Sequence, residues 1–417
     1  MDVEEARTIG ARARMIRRRR GLSLDVVAGL AGISKSYLGM LEHGQRGFNR
    51  RGLLEDLAHA LGCSVADLTG QPYLPMDRET AAAAPAISEI SLALHNATLD
   101  DVPDLPARPV PELVQAAARA NMHRDNAQYA IASQGLGALI TELHVWAVTA
   151  AGDDDRQAAL AALAEACQVA YLLARRTGRT ELAMTVAERG YEAARRAERP
   201  DLAGLMAMNR SGGLMSLGAR WRAASVCTDA LDQVSALPGP TPEDTRAAEA
   251  QGMLLLTAGL VAARDGRTED TTAYLGEARD LAAHTGERNH MRFHFGPTNV
   301  AAWELGLAVE SGTGPDAAER FITAPIDFSV FASKEREADV TFDLARAWAQ
   351  AEGARDGEAL RALDTADRLA PLRVRNDPIA RDLVLTLDRR ARRRVWELDS
   401  LRNRFGVGAQ GPRSVDN

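Results

Sequence analysis

The chain has 417 residues, of which 46% are hydrophobic, 26% charged and only 5% aromatic. At roughly 100–200 residues per domain this suggests about two to four domains, and the balance excludes a disordered chain. No uncharged apolar run reaches the roughly 18 residues of a transmembrane helix, and MDVEEAR does not open a secretory signal. Three widely spaced cysteines (Cys63, Cys167, Cys227) exclude a disulfide framework and a cysteine-based zinc site. The expectation is a cytoplasmic, reduced, all-α protein with no membrane segment.

Charge is unevenly spread. The whole chain carries −7, yet residues 12–51 hold ten basic residues against two acids, Asp25 and Glu42. That segment is +8 and the remainder −15. A basic module that meets a polyanion, joined to an acidic body that does not, fits this asymmetry.

In chain order, the first predicted helix runs from about Glu5 to Arg20 and stops at Gly21. Ser23 caps a second over Leu24 to Ala31, Ser34 a third ending near His43, and Ser64 a short fifth. Between the last two, a fourth runs from about Arg51 to Leu61. Seven of the 17 prolines then fall between Gln71 and Pro111, which reads as a linker with at most one helix, near Ile87 to Leu94.

Beyond Pro111 the helices come in pairs. The stripe Leu160, Leu163, Cys167, Ala170, Ala174 has helical spacing. Turn glycines recur at Gly178, Gly218 and Gly266, spaced by 40 and 48 residues, near the repeat lengths of helical-hairpin solenoids. ALRALDTADRLAP ends on Pro371 like the second helix of a tetratricopeptide repeat. Two irregularities are expected: a turn one residue too long at Gly218 to Trp221, and a Gly/Pro-containing insertion over 311–330.

The stretch LSLDVVAGLAGISKSYLGMLEHGQRG, Leu22 to Gly47, resembles the helix-turn-helix of the Cro/phage-repressor class, the XRE family. Ala28 is small where two helices cross, Gly32 turns the chain, Ile33 plugs the core, and Leu38 and Leu41 anchor the next helix. The resemblance covers about residues 7–70 and implies a recognition helix, Ser34–His43, in the major groove of double-stranded DNA. It implies base reading by Lys35, Ser36, Tyr37 and Met40. His43, Arg46 and Arg50 fall at positions that meet phosphate or the minor groove, and Arg51, Arg18, Arg19 and Arg20 would add phosphate contacts. Arg17 and Glu42 match a structural ion pair between the first and third helices. Leu24 departs from the family, where many relatives carry a Gln that braces the first reading residue.

HFGPTNVAAWELGLAVESG, DLARAWAQAEG and the end DPIARDLVLTLDRRARRRVWELDSLRNRFGV are similar to the helical-repeat half of regulators from high-GC bacteria. These pair an XRE domain with a tetratricopeptide-like body, an architecture shared with peptide-pheromone receptors. The implied layout is all-α: a five-helix helix-turn-helix domain (1–72), a Pro-rich linker (73–110), a tetratricopeptide-like solenoid (111–408) and a disordered tail (409–417).

Other chemistry is sparse. His290 and His294 could share a helix face, but no Glu follows His290 as a zincin requires, so no metal is expected. Asp153 to Asp155 precede a helix, where acids favour its N-terminal dipole. Phosphate-loop, dinucleotide and hydrolase motifs are missing, so neither an enzyme nor a cofactor is expected. An inner groove lined by the first helices of the pairs, around Asn209, Trp221, Arg292 and Asn299, would hold a peptide or small-molecule effector. The expected function is a homodimeric, sequence-specific transcription regulator. The alternative is an interaction scaffold tethered to DNA by an unspecific basic head.

Overall fold

Hydroxyl caps set four of the five helix starts in the N-terminal head, which a computed structural model shows with the rest of the chain over residues 8–74, 77–391, 393 and 395–407. Its helices are α1 (Ile9–Arg19), α2 (Leu24–Leu30), α3 (Lys35–Glu42), α4 (Arg51–Leu61) and α5 (Val65–Thr69). Ser23, Ser34 and Ser64 accept from the amides of Val26, Tyr37 and Asp67, as predicted. Helix α1 starts later than expected, behind Thr8, whose hydroxyl accepts from Ala11. The predicted start at Glu5 lies outside the described residues, as does the predicted tail.

The body opens with α6 (Arg78–Asn96), α7 (Val110–Asp125), α8 (Tyr129–Ala132) and α9 (Leu136–Thr149). Five hairpins follow: α10 (Asp153–Arg176) with α11 (Thr180–Arg196), α12 (Pro200–Ser216) with α13 (Arg220–Ser235), α14 (Arg246–Arg264) with α15 (Thr268–Thr285), α16 (Pro297–Ser311) with α17 (Gly314–Thr323), and α18 (Lys334–Ala349) with α19 (Asp356–Leu369). Helices α20 (Pro371–Arg375), α21 (Pro378–Arg390) and α22 (Trp396–Phe405) close the C-terminal end. Among the described residues there is no strand.

Gly178, Gly218 and Gly266 all take positive φ, where a Cβ would strain the backbone. Each sits two residues after one helix and two before the next, so the turn at Gly218 is no longer than its fellows. The segment 311–330 is likewise more regular than expected. Half of it is α17, which pairs with α16, and Phe328–Val330 forms a short 3-10 turn.

The proline-rich stretch holds a helix where one was expected, near Ile87 to Leu94, but that helix is longer and is packed into the body rather than lying in a free linker. It is the 19-residue α6, with Pro85 inside it, and α6 buries Ala83, Ile90 and Leu94 in the main body core. Proline removes one backbone donor, but the alanines around it favour helix and their burial against α9 outweighs the lost bond. One helix does pass the length and apolarity test for a membrane span, Asp153–Arg176, yet 72% of its apolar window is buried inside the body.

The head does not stand apart. Leu38, Leu41, Phe48 and Leu57 share one apolar cluster with Leu383, Leu387 and Phe405 of α21 and α22. Separating them would return that surface to water.

Candidate nucleic-acid interface and effector groove

In the head, α2 and α3 form the helix-turn-helix. Gly32 turns the chain at φ +65°, Ala28 is buried beneath the crossing, and Ile33 packs partly buried into the core. Gly10 is a requirement that sequence reading missed: a Cβ there would fall 2.0 Å from the Leu41 carbonyl oxygen. Helix α1 therefore touches the α3 backbone directly.

Arg17 locks that contact. Its Nε and Nη2 donate to the two Glu42 carboxylate oxygens at 2.6 and 2.7 Å, and Nη1 donates to the Leu22 carbonyl at 3.0 Å. Both side chains are buried. The hydrogen bond to Glu42 holds the Arg17 pKa above its ordinary value. The predicted pair is therefore present.

Lys35 and Ser36 are exposed at the start of α3, His43 is exposed at its end, and Met40 is half-buried. Lys35 Nζ donates to Asp25 Oδ2 at 2.8 Å. Leu24 packs partly buried against the core, and Asp25, one residue further along, is the side chain that holds Lys35. Tyr37 is half-buried and lines a cleft of about 400 Å³ between head and body, not the open face of α3. Arg18, Arg19 and Arg20 are exposed at the end of α1.

Three arginines expected to face phosphate are turned toward the body. Arg46 pairs with Glu352, Arg50 lines the same cleft, and Arg51 pairs with Asp377. The physical reason is at the start of α4. Arg50 gives that helix no side-chain cap, so its first amides need another acceptor. Glu310 of α16 supplies it, accepting from Arg51 N–H at 3.0 Å and Gly52 N–H at 3.3 Å. Arg346 anchors the same carboxylate at 2.5 Å and donates to the Asn49 carbonyl at 3.1 Å. Despite burial, Arg346 and Arg264 hold Glu310 down at about 2. One turn further along α4, Glu55 receives Arg264 at 2.8 Å and Arg220 at 3.0 Å.

A further body carboxylate, Asp382, accepts the Phe48 amide at 2.7 Å. Burial pushes its pKa up from 3.8 to about 6, against the opposing pull of that amide and of Arg389. The folded chain thus binds this proton more tightly than the unfolded one. The contribution is present below the ordinary carboxylate pKa and is lost as pH rises through about 6. Asp382→Asn is expected to stabilise the protein at pH 7.5 by on the order of 2–3 kcal/mol and to flatten the dependence between pH 4 and 7. Thermal melts across that range check it, and an unchanged or lower midpoint at pH 7.5 contradicts it.

The second site is the inner face of the hairpins. A cavity of about 160 Å³ is lined by first helices, with Asn209 on α12, Met253 on α14, and Asn299 and Trp303 on α16. Arg292 reaches it from the loop before α16, at φ +61°. Asn209 Nδ2 donates to Gln168 Oε1 at 2.5 Å. Asn299 donates to the Phe293 carbonyl at 2.9 Å and accepts from Arg336 Nε at 2.8 Å. A second cavity of about 160 Å³ adjoins across Arg292 and Phe293, with Gln168 Nε2 and Asn121 Oδ1 buried and unpartnered at its wall.

Three of the four predicted groove residues therefore meet. Trp221 does not, because it lies in the first turn of α13, the outer helix of its pair, and is 80% exposed. His290 and His294 lie in the irregular loop between α15 and α16, so they share no helix face. His290 Nδ1 sits 2.8 Å from Glu249, and His294 Nε2 sits 3.4 Å from Asp125. The groove residues that sequence reading missed are Arg176, Arg336, Glu335 and Asp339. Charged residues on amphipathic helices read as solvated faces, and only the hairpin stacking turns these inward.

Fold and site together define a helix-turn-helix head docked on a solenoid of helical hairpins. Residues 8–69 match a helix-turn-helix domain family. Among solved structures, the chain is similar to Bacillus thuringiensis PlcR, described in complex with the peptide PapR7 and DNA. That match is 11% identical and covers 83% of this chain and 98% of that chain, with a TM-score of 0.25. No curated protein sequence matches the chain.

Proposed function

We propose that the chain is a non-catalytic, sequence-specific transcription regulator that acts in the cytoplasm. Helix α3 enters the major groove of duplex DNA with Lys35 and Ser36 on base edges and Met40 one turn on. Arg18, Arg19 and Arg20 meet phosphates, and the inner groove of the body takes a peptide or small-molecule effector. The observation that carries the reading is the helix-turn-helix at residues 8–69 with the first turn of α3 open to solvent. A single head of this size binds weakly, so two copies on an inverted repeat are expected, with half-sites about one helical turn apart, roughly 34–36 Å.

Selection of bound duplexes from a random pool by the full chain tests the reading. A defined, two-fold symmetric motif supports it. Recovery of unrelated sequences, with binding that only falls with salt, replaces it with the tethered scaffold. Arg19→Ala should weaken binding to most sequences alike and lower the salt slope by about one. A change of motif in that variant would contradict a phosphate role.

A further inference from the structure

The groove cavity holds an unbalanced set of charges, with five arginines against three carboxylates. Three of the arginines are committed. Arg176 pairs with Glu335 and Asp339, both at 3.0 Å. Arg124 pairs with Asp125 at 3.0 Å, and Arg292 with Glu165 at 3.3 Å. Arg336 and Arg175 have no carboxylate within ion-pair distance among the described residues. Arg336 is held by one neutral bond, to Asn299, and lies 5.8 Å from the ring centres of both Trp303 and Phe331. Its burial outweighs the pull of the more distant Asp339 and Asp343, so its pKa falls below the ordinary value. A desolvated cation without a counter-ion is costly unless something else neutralises it. The Nε of Arg124, on the same wall, is buried and unpartnered as well.

Beside the charges and the two asparagines, the lining offers apolar and aromatic surface from Tyr171, Met208, Met253, Phe293 and Trp303. Resting on the reading of this groove as an effector site, we propose that the ligand presents a carboxylate to Arg336 and Arg175, with its apolar part against Trp303, Met208 and Met253. A guanidinium fork matches a planar carboxylate with two parallel bonds. The carboxylate belongs either to the C-terminus of a short peptide or to a free organic acid. The ligand's charge adjoins a continuous ionic chain to the head. Arg176 shares Asp339 with Arg373, and Arg373 shares Asp377 with Arg51.

The test is isothermal titration of the full chain with two matched pairs of probes. One pair is a hexapeptide library with free or amidated C-termini; the other is 3-phenylpropionate and 3-phenylpropionamide. Inorganic phosphate serves as a control. The free acid of at least one pair is expected to bind ten times more tightly than its amide, and that pair identifies the source. Arg336→Gln should bring the ratio close to one, and Arg336→Lys, a point charge without the fork, should keep only part of it. Equal binding of acid and amide overturns the proposal, as does binding by no probe, or phosphate that competes as well as either acid. The matched pairs interrogate the unaltered chain, so the outcome does not hang on a variant's folding. Amidated peptides that bind equally well and still shift operator affinity would overturn this proposal and leave effector sensing intact. Free acids that bind tenfold tighter without any shift would support it and remove the sensing role.

Discussion

Glu42→Ala is expected to destabilise the head by about 3–5 kcal/mol, because it leaves the Arg17 guanidinium buried without its counter-ion. Both oxygens of Glu42 are used, and Arg17 also ties the end of α1 to Leu22 just before α2. Losing the carboxylate frees α3 from α1 as well as leaving a charge unpaired. Amide hydrogen exchange over residues 9–43 of the full chain should accelerate, with less change in α10 to α15. Glu42→Gln should fall between, since it keeps one acceptor. A loss below 1 kcal/mol, or exchange that stays slow in α3, would contradict the assignment.

Glu310→Ala is expected to cost a similar amount, again about 3–5 kcal/mol, through a different element. This single carboxylate caps the first amides of α4 and neutralises Arg346. Removing it leaves two helix donors without an acceptor and a buried cation held only by Asp343 and the Asn49 carbonyl. The lowered pKa gives the sign of the pH effect. The contribution is complete above the ordinary carboxylate range and is lost as pH falls toward about 2. The variant should therefore show a weaker acid transition than the parent, and limited proteolysis should cut between head and body sooner. Unaltered proteolysis and acid unfolding would show that Glu310 does not secure the head.

Much of this fold was legible from local signals. Serine caps at Ser23, Ser34 and Ser64 and the left-handed glycines at Gly178, Gly218 and Gly266 act within a few residues, so spacing alone reveals them. The Arg17–Glu42 pair was legible through family resemblance. Docking of the head was not. The missing cap at Arg50 stands in the sequence, but the carboxylate that replaces it comes from 259 residues beyond Arg51. Local pattern cannot assign such a partner. Composition also misled at α6, where prolines outside the helix carried the linker reading and tertiary burial decided the helix. In the groove, the two asparagines betrayed themselves as polar residues on apolar helices. Trp221 shared the aromatic signal but sits on an outer helix, and Arg336 shared the look of an ordinary surface arginine.

The central claim is that α3 reads bases, and the most direct measurement compares DNA selected by the parent chain with DNA selected by Lys35→Ala. One defined motif is expected for the parent, with preference lost at a single position of each half-site in the variant. That loss corresponds to about 1–3 kcal/mol of discrimination there. An identical motif from both chains, or no motif from either, would contradict it.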